Sequence, residues 1–190
     1  SMPEYVQSGH RQKESKMTEI KLGDFLSEYT LNVPEAVQNG NIYRITYTAE
    51  HTEISFYVKF NKLIPYRDVL TFEKNLENFF NLNRITLHCT YSPEMFTIDY
   101  YGELIAKLKR KFAVVNGFLD GSDIKYADGI ITIGLKNGGY DLLVKANFCG
   151  EFSKLIKEEF GLDVKTELTG ELTVDMEKHE VQMKQFEETL

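Results

Sequence analysis

Ile54-Ser55-Phe56-Tyr57-Val58-Lys59-Phe60, followed by Asn61-Lys62-Leu63-Ile64-Pro65-Tyr66 and later by Ile85-Thr86-Leu87-His88-Cys89-Thr90-Tyr91, decides the fold of this chain. Apolar and polar residues alternate in the first and last of these runs, the period of a half-buried strand. Pro65 suits the first turn of a helix, and Val69, Phe72, Leu76 and Phe79 then fall on one helical face. The pattern predicts strands at about 42–49 and 53–60, a helix from Pro65 and a closing strand at 83–91. Leu22, Phe25, Leu26 and Tyr29 add a short amphipathic helix before them, and Asn39-Gly40 marks a turn.

The same order recurs. Ser92-Pro93 reads as the cap and first residue of a helix whose stripe is Ile98, Tyr101, Ile105, Leu108 and Phe112. Short strands near 123–127 and 130–136 are joined by Asp128-Gly129, a favoured hairpin pair. A helix at about 141–160, kinked at Gly150 and capped by Gly161, leads to a strand through Val164, Thr166 and Leu168. The expectation is an α+β chain: two small helix-strand-strand-helix-strand units, each an antiparallel-rich sheet with helices on one face. Residues 1–19 read as a flexible leader that opens on Ser1-Met2, the remnant of a cleaved expression tag, 20–92 as the first unit, 93–170 as the second and 171–190 as an acidic linker or tail.

The chain has 190 residues and a net charge of −7, which excludes a polybasic nucleic-acid module. Residues 171–190 hold six acidic and two basic residues, a net of −4, so the remainder is nearly balanced and local patches matter more than the sum. No run is apolar for the roughly 20 residues of a membrane span, and no signal peptide opens the sequence. Two cysteines, Cys89 and Cys149, fit reduced thiols of a cytoplasmic protein.

The residues that carry chemistry do not converge. His88 and Cys89 are neighbours on a strand and point to opposite faces, so they share no metal. Asp120, Asp123 and Asp128 lack the spacing and closing glutamate of a calcium loop. Gly134, Gly138 and Gly139 lack the lysine and setting of a phosphate loop. No catalytic, cofactor-binding or metal-binding residue is assigned. The one dense cluster is Lys107, Lys109, Arg110 and Lys111 at a helix end. It reads as a self-stabilising terminus, because cations suit the helix C-terminal dipole. It is also the candidate contact for nucleic acid or for an acidic partner, at most a few phosphates.

The runs Leu26–Val33, Ser55–Tyr66, Leu70–Phe80 and Arg84–His88 resemble the N-terminal region of the PolC-type DNA polymerase III alpha subunits of low-GC Gram-positive bacteria. Residues 94–170, with their hairpin, long helix and closing Gly161-Leu162-Asp163-Val164-Lys165, resemble that family's second N-terminal domain. The resemblance implies a non-catalytic module of a replicative polymerase, a DNA-directed DNA polymerase with 3′–5′ exonuclease whose magnesium and zinc sites lie in other domains. It implies no cofactor and no small-molecule substrate here. The partners it implies are replisome proteins, such as the tau clamp-loader subunit or other polymerase subunits, with no membrane and DNA at most weakly bound. It implies a KH-like second unit, although no Gly-x-x-Gly clamp stands between its helices. The alternative reading is a weak single-stranded nucleic-acid-binding module that uses the basic helix end and an aromatic surface.

Overall fold

The alternation through Phe56 places one strand at the centre of a sheet, and the rest of the first unit assembles on it. A computed structural model describes residues 12–115, 117–170 and 188. The fold is α+β, and the chain divides into two units between Phe96 and Thr97. The first unit runs β1 (Gln12–Lys21), α1 (Leu22–Phe25), α2 (Glu35–Gln38), β2 (Asn41–Thr48), β3 (Glu53–Lys59), α3 (Tyr66–Phe80) and β4 (Arg84–Thr90). Its sheet has the order β1-β2-β3-β4. β1·β2 and β2·β3 are antiparallel and β3·β4 is parallel. A parallel pair needs a crossover, and α3 supplies it.

Ile54, Phe56 and Val58 of β3, Ile85, Leu87 and Cys89 of β4, and Val69, Phe72 and Leu76 of α3 are buried together on one face of the sheet. Phe56 and Phe72 meet edge to face at 5.9 Å; burying each such ring contributes about 2–3 kcal/mol. Gly40 is required by close approach: a Cβ there would collide with the side chains of Phe60 and Val58.

Two details differ from the sequence pattern. Residues 12–21, within and just beyond the expected leader, form β1 and pair with β2 from Gln12↔Thr48 to Lys21↔Asn41. A low apolar content does not prevent this, because an edge strand is held by backbone groups. Residues 1–11, and the expected tail apart from residue 188, lie outside the described residues. Phe79, expected on the buried stripe, stands in the last turn of α3 and is 47% exposed.

The second unit runs α4 (Tyr101–Lys111), β5 (Asp123–Ala127), β6 (Ile130–Gly134), α5 (Tyr140–Lys145), α6 (Phe148–Phe160) and β7 (Lys165–Thr169). Its sheet is β5-β6-β7, antiparallel then parallel. Asp128 and Gly129 both have positive φ, as the tight β5–β6 hairpin demands. The core is Ile131, Ile133, Leu104, Leu108, Phe152, Ile156 and Phe160.

Here too the sequence pattern is corrected in places. Pro93–Met95 forms one short 3₁₀ turn and Ile98–Tyr100 another. Phe96 and Thr97 between them are extended, so the long helix starts at Tyr101 rather than Pro93. Thr97 Oγ1 accepts the Asp99 N–H at 3.4 Å, a second start signal that overrides the first. The buried stripe becomes Tyr100, Leu104, Ile105 and Leu108. The helix expected over 141–160 is two helices, broken at Asn147 (φ 53°) and not at Gly150; asparagine is among the few residues that adopt the left-handed conformation readily. Gly161 (φ 66°) ends α6 as expected.

Candidate interaction surfaces

The basic cluster is divided by its own helix. Lys107 points inward, where its ammonium donates to both carboxylate oxygens of Glu159 on α6, at 2.7 and 2.9 Å. The two side chains are 14% and 6% exposed. Tyr100 completes the surround, with its hydroxyl 3.4 Å and its ring centroid 5.5 Å from Lys107 Nζ. Burial pushes the Glu159 carboxyl up from its ordinary value, further than Lys107 pulls it down. Lys109 lies 3.6 Å from Asp120. Arg110 and Lys111 are exposed at the helix end. The four residues therefore do not form one surface: Lys107 belongs to the interior, and the others to the rim. Separations of tens of residues hide this in the sequence, since nothing near Lys107 announces Glu159.

The open face of the first sheet carries a stack that sequence alternation cannot reveal. The register aligns Arg44, Tyr57 and His88 across β2, β3 and β4. The Arg44 guanidinium lies 3.8 Å from the Tyr57 ring centroid, and His88 stacks on Tyr57 at 4.3 Å with 8° between planes. Because β2 and β4 flank β3, both faces of Tyr57 are occupied. Tyr43 is the extra residue of a bulge between Ile42 and Arg44, and its hydroxyl shares a 2.8 Å hydrogen bond with Thr90. With Arg44 and His88 against it, the Tyr57 ring offers no open π-face to a base.

A different aromatic group faces outward. Tyr29, Phe79 and Phe80 meet edge to face, with centroids 4.9–5.9 Å apart. Tyr29 is 38% exposed and Phe79 47%. The Asn75 side-chain amide donates to the Asn32 carbonyl at 2.9 Å and fastens the Tyr29 loop to α3. The segments that carry the group, Leu26–Asn32 and Leu76–Asn83, hold no lysine or arginine.

Among the described residues no three His, Cys, Asp or Glu side chains are placed to hold a metal ion. No helix among them is long and apolar enough to cross a membrane. Burial raises the Tyr101 hydroxyl well above its ordinary value, with Asp120 adding to the effect, and burial also pushes up the Cys149 thiol. Neither group is an activated nucleophile at neutral pH.

Residues 21–91 match the family model described as DNA polymerase III polC-type N-terminus I. No curated protein and no solved structure gives a significant match. The matched stretch starts at the end of β1 and closes just after β4, so it takes in the crossover helix and the outward aromatic group. Over residues 21–91, the chain is similar to the PolC-type DNA polymerase III N-terminus I family.

Proposed function

We propose that this chain is a non-catalytic N-terminal module of a PolC-type replicative polymerase and makes protein contacts within the replisome. The observation that carries this reading is the exposed Tyr29–Phe79–Phe80 group, whose two supporting segments hold no basic residue. Exposed aromatics of this kind serve as anchors for protein partners. Nucleic acid would call instead for cations beside open rings. Lys107 is committed to Glu159, and Tyr57 is enclosed by Arg44 and His88. Replisome proteins such as the tau clamp-loader subunit or another polymerase subunit are the proposed partners, with no cofactor and no small-molecule substrate.

The test is retention of purified replisome subunits on immobilised chain. Phe79→Ser and Tyr29→Ser, both on exposed residues, are the comparison. Capture of a subunit that either variant reduces at least tenfold is expected, the loss typical of an anchoring aromatic (about 1.4 kcal/mol or more). No capture, or equal capture by the variants, refutes the reading.

A further inference from the structure

The two units share one arrangement at the outer edge of their last strand, but they finish it differently. In both, the crossover helix ends in a left-handed residue, Asn81 or Gly161. In both, the strand closes with the same backbone bond, Phe60 N–H to Thr90 O and Leu135 N–H to Thr169 O. Glu73 and Glu77 stand eight and four residues before Asn81; Ser153 and Lys157 stand eight and four before Gly161.

In the first unit the two glutamates cover the edge. Glu73 Oε2 accepts the Leu87 N–H at 2.9 Å, and Glu77 Oε1 accepts the Ile85 N–H at 3.0 Å. An edge strand's N–H groups are thereby satisfied within the unit.

In the second unit the equivalent side chains cannot do this. Ser153 is short, and its hydroxyl is shared with Thr166 Oγ1 at 2.8 Å. Lys157 has no acceptor to offer and turns to Asp163 at 3.1 Å. Lys165 N–H points into the sheet, to Gly129 O, so strand alternation sends the N–H groups of Val164 and Thr166 outward. Among the described residues neither meets an acceptor. Between α6 and this edge lies an open groove of about 830 Å³, with Ile130, Leu162 and Val164 among its lining and Lys154 on its rim.

We propose that the groove between α6 and β7 takes an extended peptide of a partner protein, bonded to the outward N–H groups of Val164 and Thr166, with aliphatic side chains alternating with carboxylates. An open edge beside a helix is a site for strand addition, in which main-chain bonds give affinity and alternate side chains give specificity. The apolar lining receives the aliphatic side chains, and Lys154 receives a carboxylate. The lining contains no aromatic residue on which bases would stack. The site lies in the second unit and does not depend on the aromatic group of the first.

The test uses the full chain and a fluorescein-labelled Glu-Val-Glu-Val-Glu-Val peptide, read by polarisation and by amide shifts. Saturable binding is expected, with shifts centred on Val164 and Thr166. Ser153→Glu with Lys157→Glu copies the first unit's glutamates; it should keep the circular-dichroism spectrum and abolish binding. Lys154→Glu, on an exposed residue, gives a reading independent of that double variant and should weaken binding about fivefold, the worth of one exposed charge contact. No binding, binding unchanged by Lys154→Glu, or shifts centred elsewhere overturn the proposal. So does a ten-residue oligothymidylate that fills the groove when the peptide does not.

Discussion

Replacing Lys107 with methionine tests the interior of the second unit most sharply. The substitution keeps the length of the stem and removes the charge. Glu159, 6% exposed at its side chain, would then hold a carboxylate without its two bonds of 2.7 and 2.9 Å. Breaking one side of a buried pair costs about 3–5 kcal/mol, because the remaining charge is uncompensated. Removing both sides, as Lys107→Met with Glu159→Leu, should return to within about 1 kcal/mol of the parent or exceed it, since desolvation of the pair roughly cancels its attraction. Urea unfolding of the parent, both single variants and the double variant yields the coupling energy directly. The pH dependence adds a second reading. Burial raises the Glu159 carboxyl in the folded state. A raised acid contributes stability below its unfolded value and loses it as pH rises through its folded value. Without Lys107 the folded value climbs further, so the Lys107→Met deficit should shrink as pH falls from 7 toward 5. A cost under about 1 kcal/mol at neutral pH would show that water reaches the pair and screens it as it does at a surface. A deficit independent of pH would show that Glu159 is not the group left exposed to the loss.

Three further outcomes are expected. Gly40→Ala should cost about 1–3 kcal/mol by chemical denaturation, because its methyl collides with Phe60 and Val58; a neutral substitution would place that approach wrongly. Glu73→Ala should cost about 1–3 kcal/mol by leaving the Leu87 N–H without an acceptor, while Glu73→Gln, which keeps an oxygen there, should recover part of the loss. Single-stranded DNA should bind weakly or not at all near physiological salt. Any low-salt binding should run through Lys109, Arg110 and Lys111 with a log–log slope no steeper than about −2, as three cations on a single strand allow, and binding that survives their neutralisation would revive the nucleic-acid reading.

Much of the fold was legible because period reports burial. The alternation of Ile54, Phe56 and Val58 and of Ile85, Leu87 and Cys89 placed both strands within a residue or so of where they lie. Asp128-Gly129 and Gly161 marked a turn and a helix end because few other residues suit positive φ. Edge pairing was illegible at β1, because backbone groups carry it. The helix start failed at Ile98, which stands in a 3₁₀ turn, since a second start signal at Thr97 delays the helix to Tyr101. Phe79 kept the helical spacing yet stands exposed, because spacing marks a face and not where that face ends. The basic cluster was visible as composition, but the partner that withdraws Lys107 sits on another helix.

The repeated topology makes a stronger argument than either unit alone. Both sheets join an antiparallel pair to a parallel one through a crossover helix. The helix–strand seam is therefore the same problem met twice. Glu73 and Glu77 solve it with carboxylates that accept two edge N–H groups. Ser153 and Lys157 leave the N–H groups of Val164 and Thr166 uncovered, while Cys149 of the same helix meets that of Leu168. A burial pattern registers neither solution, since all four side chains stand at equivalent helical positions and only their length and charge differ. Were the second seam merely a weaker copy, installing the two glutamates there would raise stability and change nothing else. If the seam is a binding edge, the same substitution should raise stability by the worth of two new hydrogen bonds to charged acceptors, about 3 kcal/mol or more, and remove an extended ligand at the same time. Stability and binding moving in opposite directions in one variant is the signature of an edge kept open for use.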